Sequence, residues 1–145
     1  MIREISEEDA ESLAKIHRRC FGKGWSEESF RSMLFQKCFA GLAEEDETVI
    51  RGFILAQVVI DEAEIVTFCV LPEFRGRGVG KSLLAELMKR FAKGHVKKVF
   101  LEVAEDNDEA IGLYKSMGYE EMRRRQNYYR TKRETKNAAV LAKNL

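Results

Sequence analysis

The spacing of hydrophobic residues follows two different periods along the chain, and in the N-terminal part it is mainly that of a helix. Residues 1–5 alternate weakly, as an edge strand would, and Ser6 with Asp9 three positions later forms an N-cap pattern. The apolar face that follows recurs every three or four positions: Leu13, Ile16, His17 and Cys20. After a Gly-Lys-Gly turn, Ser26 is placed to cap a second, shorter helix.

The period changes to two in the middle of the chain. Three segments rich in Val, Ile and Phe, at residues 39–43, 49–60 and 63–71, are separated by acidic turns. They predict consecutive strands of an antiparallel meander, which ends where Pro72 cannot continue the hydrogen-bonded ladder.

A long amphipathic helix is predicted after a glycine-rich segment at residues 75–80. Its apolar face comprises Val79, Leu83, Leu84, Leu87, Met88 and Phe91. Gly94 follows this stripe, as is typical of a helix C-terminus.

The remainder of the chain predicts one more strand, one helix and a strand pair. Residues 96–104 form the strand, Asp106 or Asn107 caps the helix, and residues 119–129 and 137–145 form the pair. Because neither an internal repeat nor a linker is visible, we treat residues 1–145 as one domain. The order β-α-α-β-β-β-α-β-α-β-β predicts a mixed α/β (α+β) fold around a mostly antiparallel sheet.

Composition excludes several classes of protein. The 145 residues are 45% hydrophobic with one proline and ten glycines, which excludes a disordered or low-complexity chain. The longest apolar stretch, residues 53–60, is too short for a membrane span, and no signal peptide is visible, so we expect a cytoplasmic protein without membrane contact. The three cysteines include no C-x-x-C pair and the two histidines lack a second ligand at a metal-binding spacing, so we expect reduced thiols and no metal.

The net charge of +1 conceals an asymmetry along the chain. Residues 122–145 contain eight Lys or Arg and one Glu, a net charge of +7, which leaves −6 for residues 1–121. Such a tail is either a solvated hairpin or a surface for an anionic partner, such as a nucleotide phosphate or RNA.

The glycine-rich segment carries the clearest chemistry. Glycines let the backbone approach a ligand closely, and successive N–H groups at a helix N-terminus bind anions. Arg75, Arg77 and Lys81 add positive charge to the same place. A phosphate or pyrophosphate is therefore the expected ligand.

Three phosphate-binding motifs compete for this segment. A Rossmann pattern fails because Gly80 comes one residue early and the meander supplies no parallel βαβ units. A P-loop fits at Gly80-Lys81-Ser82 but has Arg75 in place of its first glycine. The pattern R-x-x-G-x-G is satisfied by Arg75, Gly78 and Gly80 in the required strand–loop–helix setting.

Further recognisable residues are Leu101-Glu102-Val103, Asn107, Leu113-Tyr114, Gly118-Tyr119, Asn127-Tyr128-Tyr129 and Trp25-Ser26 with Phe30. With these, nearly the whole chain resembles the GNAT family of acyl-CoA-dependent N-acetyltransferases. Within it the sequence is most similar to protein N-terminal acetyltransferases of the ribosomal-protein-alanine type and their archaeal relatives. The resemblance implies the GNAT fold and acetyl-CoA as co-substrate.

The resemblance also implies which residues bind acetyl-CoA. The pantetheine arm would pair with the backbone of Phe68, Cys69 and Val70, and amides near Val70 would polarise the thioester carbonyl. Asn107 would contact the cofactor as well. The residues that would hold the pyrophosphate are Arg75, Gly76, Arg77, Gly78, Val79, Gly80 and Lys81.

The implied reaction is acetyl transfer to the N-terminal α-amine of a protein, in a ternary complex. Glu102 would take a proton from the amine and Tyr114 would protonate the leaving thiolate. Residues implied at the acceptor side are Trp25, Tyr128 and Tyr129, which would line the peptide entrance, and Glu64 as a second carboxylate.

Alternatives remain for both the residues and the function. Taken alone, Glu102 is typical of the polar side of a half-exposed strand, and Tyr114 is typical of a core aromatic. The alternatives for the function are a GNAT enzyme that acts on lysine side chains or on a small amine, and a non-catalytic acyl-CoA-binding module. The acidic pair usual before the last strand is replaced by Thr135-Lys136-Asn137, which leaves the identity of the acceptor protein open.

Overall fold

Seven strands and four α-helices form the part of the chain that the computed structural model describes. This part comprises the backbone of residues 1–130 and 135–145 and the side chains of residues 1–122 and 138–145. The strands are β1 (Ile2–Glu4), β2 (Phe39–Asp46), β3 (Val49–Val59), β4 (Glu62–Val70), β5 (Lys98–Ala104), β6 (Glu120–Arg130) and β7 (Thr135–Asn144). The helices are α1 (Ala10–Phe21), α2 (Glu27–Phe35), α3 (Val79–Lys93) and α4 (Asp108–Ser116). The predicted order of strands and helices is confirmed.

The strands form one sheet in the order β1-β2-β3-β4-β5-β7-β6. Strands β2, β3 and β4 are the predicted antiparallel meander, and β6 and β7 form the predicted antiparallel pair. Among the described neighbours, only β4 and β5 run parallel, which is the connection that α3 crosses. No helix among the described residues has the length and apolar surface that a membrane crossing requires.

Helices cover both faces of the sheet, and each face has its own core. The α1/α2 core includes Leu13 and Phe30, packed on Phe53 of β3. The α3/α4 core contains the whole predicted apolar face of α3, every member of which is buried. Two cores form because a sheet covered by helices on both sides buries side chains on each face.

Strand β4 has a bulge of one extra residue where it pairs with β3. The pairing register shifts so that Val66 has no counterpart on β3. Ile65 before the bulge belongs to the α3/α4 core, whereas Cys69 after it belongs to the α1/α2 core. An unbroken strand would direct both side chains to one face, so the bulge reverses the two faces of β4 at this point.

Strand β2 extends three residues beyond the predicted end at Ala43, and that expectation was wrong. Glu44 lies in the strand and is buried, because Arg51 of β3 donates two hydrogen bonds to its carboxylate, each at 2.5 Å. Glu45 is held by Arg3 of β1 at 2.6 Å. Charge pairing across three strands therefore keeps acidic residues in the ladder where the sequence pattern indicates a turn.

Local capping follows the sequence closely. The side chain of Ser26 accepts the backbone N–H of Ser29 at 3.1 Å and so caps α2. Asn107, one of the two predicted caps, accepts the N–H of Ala110 at 3.2 Å at the start of α4. Both caps fix the first turn of their helices, and Asn107 also lines both cavities of the candidate site described below.

Candidate active site

A cleft opens where β4 and β5 separate. The two strands pair from residue 62 to Glu64 on β4 and from residue 98 to Phe100 on β5, and beyond these residues they diverge. Two adjoining cavities of about 610 Å³ and 540 Å³ occupy the opening. The residues that line both cavities are Phe21, Phe68, Asn107, Ala110 and Tyr114. We name the first the larger cavity and the second the smaller cavity.

The smaller cavity contains the glycine-rich loop and the start of α3. The predicted loop residues that line it are Arg75, Gly76, Gly78, Val79, Gly80 and Lys81. Arg77 does not line it, and its guanidinium lies over the ring of Phe74, 5.8 Å from the centroid. Because the first turn of α3 contains no acidic residue, the positive end of the helix is not neutralised there.

Two glycines of this loop adopt the left-handed backbone conformation. φ is +76° at Gly76 and +81° at Gly78, which is the N-cap residue of α3. At Gly80 an added Cβ would make an ordinary contact with Phe68 at 3.4 Å. Glycine is therefore needed at the first two positions for backbone conformation, whereas a small side chain fits at the third.

Beyond the bulge, alternate residues of β4 turn their backbone groups toward the cleft. The N–H of Leu71 is donated to the carbonyl of Arg51 on β3 at 2.9 Å. Since successive residues of a strand direct N–H and C=O groups to opposite edges, Cys69 also faces β3, while Phe68 and Val70 face the cleft. Of the three residues predicted to pair with pantetheine, Phe68 and Val70 are therefore the two with suitably directed backbone groups.

Glu102 and Tyr114 meet at the cleft from opposite faces of the sheet. Glu102 is half-buried in the middle of β5, and its neighbours Leu101 and Val103 belong to the α3/α4 core, so its side chain projects to the α1/α2 face. Tyr114 of α4 is buried in the α3/α4 core, with its ring 6.3 Å from that of Phe68. Both residues line the larger cavity.

His17 connects the turn that carries Trp25, a residue predicted at the acceptor side, to the bulged strand. Its Nδ1 accepts the backbone N–H of Trp25 at 2.9 Å, and its Nε2 lies 3.1 Å from Oγ1 of Thr67. An accepting Nδ1 carries no proton, so the ring is the neutral tautomer and Nε2 donates to Thr67. Burial lowers the pKa of His17, which favours the same neutral form.

The predicted residues of the acceptor side fall into three groups. Trp25 stacks on His17 with ring centroids 4.7 Å apart and lines the larger cavity. Glu64 lies instead in a separate surface depression with Gln57 and Phe100. The side chains of Tyr128 and Tyr129, like most of the basic tail, lie outside the described residues.

Sequence patterns did not single out four residues that line the cleft. Phe21 borders both cavities, His17 and Thr67 border the larger one, and Cys20 borders the smaller one. His17 and Cys20 were predicted only as inner-face residues of a helix. One sequence signal could have indicated the position of Phe21: it is an aromatic residue at the end of α1, immediately before Gly22.

Comparison with known proteins identifies this architecture. The sequence profile described as the acetyltransferase (GNAT) family matches residues 10–119. The chain belongs to the GNAT family of acetyltransferases. The prediction of a GNAT fold with its mixed sheet is confirmed by this match and by the structural neighbours described next.

Relatives of this GNAT domain resemble it over nearly its whole length. It is 32% identical over 138 residues to the [ribosomal protein bS18]-alanine N-acetyltransferase of Salmonella typhimurium, covering 95% of this chain and 93% of that protein. The crystal structure of the ribosomal-protein-S18-alanine N-acetyltransferase from Escherichia coli superposes with a TM-score of 0.93 at 30% identity, covering 99% and 92% of the two chains. These relatives confirm the predicted resemblance to N-terminal acetyltransferases of the ribosomal-protein-alanine type.

A more distant neighbour has the same fold. The crystal structure of Arabidopsis thaliana NAA60 in complex with acetyl-CoA superposes with a TM-score of 0.88 at 24% identity. It covers 100% of this chain and 98% of that one. At this identity the likeness concerns the fold alone.

Proposed function

We propose that this GNAT domain transfers the acetyl group of acetyl-CoA to the N-terminal α-amine of a protein, with an alanine of a ribosomal protein as acceptor. The observation that carries the proposal is the position of Glu102 and Tyr114 in one cavity that adjoins the phosphate-binding loop. The full-length relatives named for this activity support the choice of acceptor. A ribosomal protein as acceptor implies a reaction in the cytoplasm.

The smaller cavity has the chemistry that acetyl-CoA requires. A pyrophosphate would be held by backbone N–H groups of the loop and the N-terminus of α3, with Arg75 and Lys81 as counter-charges. A pantetheine arm would pair with the backbone of Phe68 and Val70 at the edge of β4 that β5 leaves open. Asn107 lies at the junction of the two cavities.

Glu102 is suited to act as the base. An α-amine has a reference pKa of about 8, so much of it is protonated at neutral pH and cannot attack a thioester. The Glu102 carboxylate lies at the α1/α2 side of the larger cavity, from which an acceptor would approach past Trp25. It would take the ammonium proton, directly or through a water molecule.

Tyr114 is suited to act as the acid. Its side chain comes from the other face of the sheet and lies near Phe68, at the junction of the two cavities. Acetyl transfer expels a thiolate, and a phenol that remains protonated at neutral pH can donate its proton to that sulfur. The amides of Phe68 and Val70 would stabilise the charge that develops on the thioester oxygen.

The basic tail suggests a further contact, with RNA on the ribosome. This inference rests on the net charge of +7 in residues 122–145 and not on their side-chain positions. Contact with RNA would be weakened by salt, because the counterions that binding releases are then already concentrated in solution. Salt should therefore lower turnover on a ribosome-bound acceptor more than turnover on a short peptide.

A peptide panel tests the proposed acceptor. Peptides that begin with alanine and also contain lysine are offered with acetyl-CoA, and release of the CoA thiol is measured. We expect turnover with a free amino terminus and none when that terminus is already acetylated. Equal turnover on the blocked peptide would identify a lysine acetyltransferase instead, and turnover only with a small amine would exclude a protein acceptor.

A further inference from the structure

Two cysteine side chains meet in the wall of the smaller cavity. Cys20 lies in the last turn of α1 and Cys69 lies on β4, and both side chains line the smaller cavity and pack in the α1/α2 core. Cys69 is buried, whereas Cys20 is half-buried. Cys20 is therefore the more solvent-accessible of the two thiols.

The surroundings of the pair distinguish the two sulfur atoms. The thiol of Cys20 donates a hydrogen bond at 3.5 Å to the carbonyl of Val70, the residue that follows Cys69. The same carbonyl accepts a hydrogen bond from Nε of Arg75 at 2.9 Å, so a guanidinium lies close to the Cys20 sulfur. Interaction with the neighbouring Cys69 thiol, with Arg75 and with the charge of Arg19 lowers the pKa of Cys20. The nearby Cys20 sulfur and burial raise the pKa of Cys69. Because the thiolate is the nucleophilic form of cysteine, Cys20 is the more reactive sulfur.

We propose that Cys20 and Cys69 form a reversible disulfide in the wall of the smaller cavity when the protein meets a peroxide. The proposal uses neither of the two residues assigned to acetyl transfer, Glu102 and Tyr114. It concerns an oxidation site for which the sequence predicted only reduced thiols. Cys38 is not part of the proposed disulfide, since its sulfur contacts the side chains of Gln36 and Gln57 next to the start of β2.

Oxidation would proceed in two steps. The Cys20 thiolate attacks one oxygen of hydrogen peroxide, the O–O bond breaks, and hydroxide leaves and takes up a proton to become water, with Cys20 left as a sulfenic acid. Cys69 then loses its proton and attacks the Cys20 sulfur, the S–O bond breaks, and a second water leaves. The two thiols together lose two electrons, and the peroxide gains them. An added dithiol reverses the reaction by thiol–disulfide exchange.

Peptide mapping of the oxidised protein tests the pair. The full chain is treated with hydrogen peroxide, remaining thiols are alkylated, and the protein is digested without reductant. We expect one linked pair of peptides containing Cys20 and Cys69, a fall from three free thiols to one, and full reversal by dithiothreitol. Cys38→Ser is the matched control and should form the same link.

The variants Cys20→Ser and Cys69→Ser should form no link. In Cys69→Ser, Cys20 has no resolving partner and should accumulate as sulfenic or sulfinic acid. A link that involves Cys38 would overturn the proposal. The same holds if the wild-type protein shows oxidised Cys20 without a link to Cys69, or if the link appears only after the chain is unfolded.

A second experiment measures the oxidation of the pair in the presence of acetyl-CoA, and it rests on the proposed function. Because Cys20 lines the cavity proposed for acetyl-CoA, saturating acetyl-CoA should slow oxidation of wild-type protein about tenfold or more. The oxidised protein should in turn bind acetyl-CoA more weakly, since coupling between two sites is reciprocal. Link formation without protection would support the disulfide and count against acetyl-CoA in this cavity. Protection without a link would support the cavity and overturn the disulfide.

Discussion

The backbone N–H of Trp25 is donated to Nδ1 of His17 at 2.9 Å, and this bond determines which nitrogen of the imidazole carries the proton. The other nitrogen, Nε2, then donates to Oγ1 of Thr67 at 3.1 Å, just beyond the bulge of β4. One buried side chain thus joins α1, the turn that presents Trp25, and the strand that borders the cleft. We infer that His17 positions the acceptor side of the site.

Replacing His17 with phenylalanine should weaken acceptor binding. The ring is kept but both hydrogen bonds are lost, which leaves the N–H of Trp25 and the hydroxyl of Thr67 without this partner at a cost of about 1–3 kcal/mol each. We expect KM for the peptide to rise roughly tenfold while acetyl-CoA affinity changes little. His95→Phe, the same change at an exposed position, is the control and should leave both values unaltered. An unchanged peptide KM in His17→Phe would contradict the positioning role.

The lowered pKa of His17 predicts a pH dependence of stability. An unfolded chain binds a proton at the ordinary histidine pKa of about 6.5, whereas the folded chain binds it only at lower pH. The stabilisation is therefore present above pH 6.5 and is lost as pH falls below it. Thermal unfolding at pH 7.5 and pH 5.5 should show a larger loss of Tm in the wild type than in His17→Phe. Equal losses would show that His17 does not change its proton affinity on folding.

Gly78→Ala should weaken acetyl-CoA binding. With φ at +81°, an alanine would strain the backbone by about 1–2 kcal/mol and disturb the N-cap of α3. We expect a several-fold higher Kd for acetyl-CoA, measured by calorimetry. Gly112→Ala is the matched control, because it lies within α4 with open space around an added Cβ, and it should keep the affinity and raise Tm slightly. Equal affinity in both variants would count against the loop as the pyrophosphate site.

Local patterns predicted most of the fold because local forces determine it. The stripe of α3, the caps at Ser26 and Asn107, and the meander follow from side-chain spacing and capping chemistry within a few residues. The extension of β2 was missed because Arg51 and Arg3, on two other strands, neutralise its acidic end.

The candidate site was only partly predictable, because its geometry depends on contacts between distant residues. The bulge at Val66 is defined by the register of β3 and β4, and no local pattern marks it. His17 and Thr67 are 50 positions apart and meet only in the folded chain. Glu102, Tyr114 and Trp25 were predicted from the family resemblance. No hydrophobic period in the sequence could indicate that all three line the larger cavity.

Tyr114→Phe should lower turnover, and raising the pH should not restore it. The substitution removes the proposed proton donor for the leaving thiolate but keeps the ring that packs near Phe68. Tyr119→Phe is the matched control, because this neighbouring ring, 5.5 Å away, directs its hydroxyl to Sδ of Met88 inside the core. We expect a fall of roughly 10²-fold for Tyr114→Phe in thiol-release assays and a small effect for the control. Comparable losses in the two variants would show a structural role instead.

The pH–rate profile of Glu102→Gln tests the central claim, that Glu102 accepts the proton of the acceptor amine. We expect turnover at pH 7 to fall roughly 10²–10⁴-fold with acetyl-CoA affinity little changed, and the deficit to shrink at high pH, where the amine loses its proton unaided. Glu64→Gln, the same change in the separate depression, should stay within a few-fold of the wild type. Near-normal turnover of Glu102→Gln at pH 7 would contradict the account, and a large loss in Glu64→Gln alone would assign the base to Glu64.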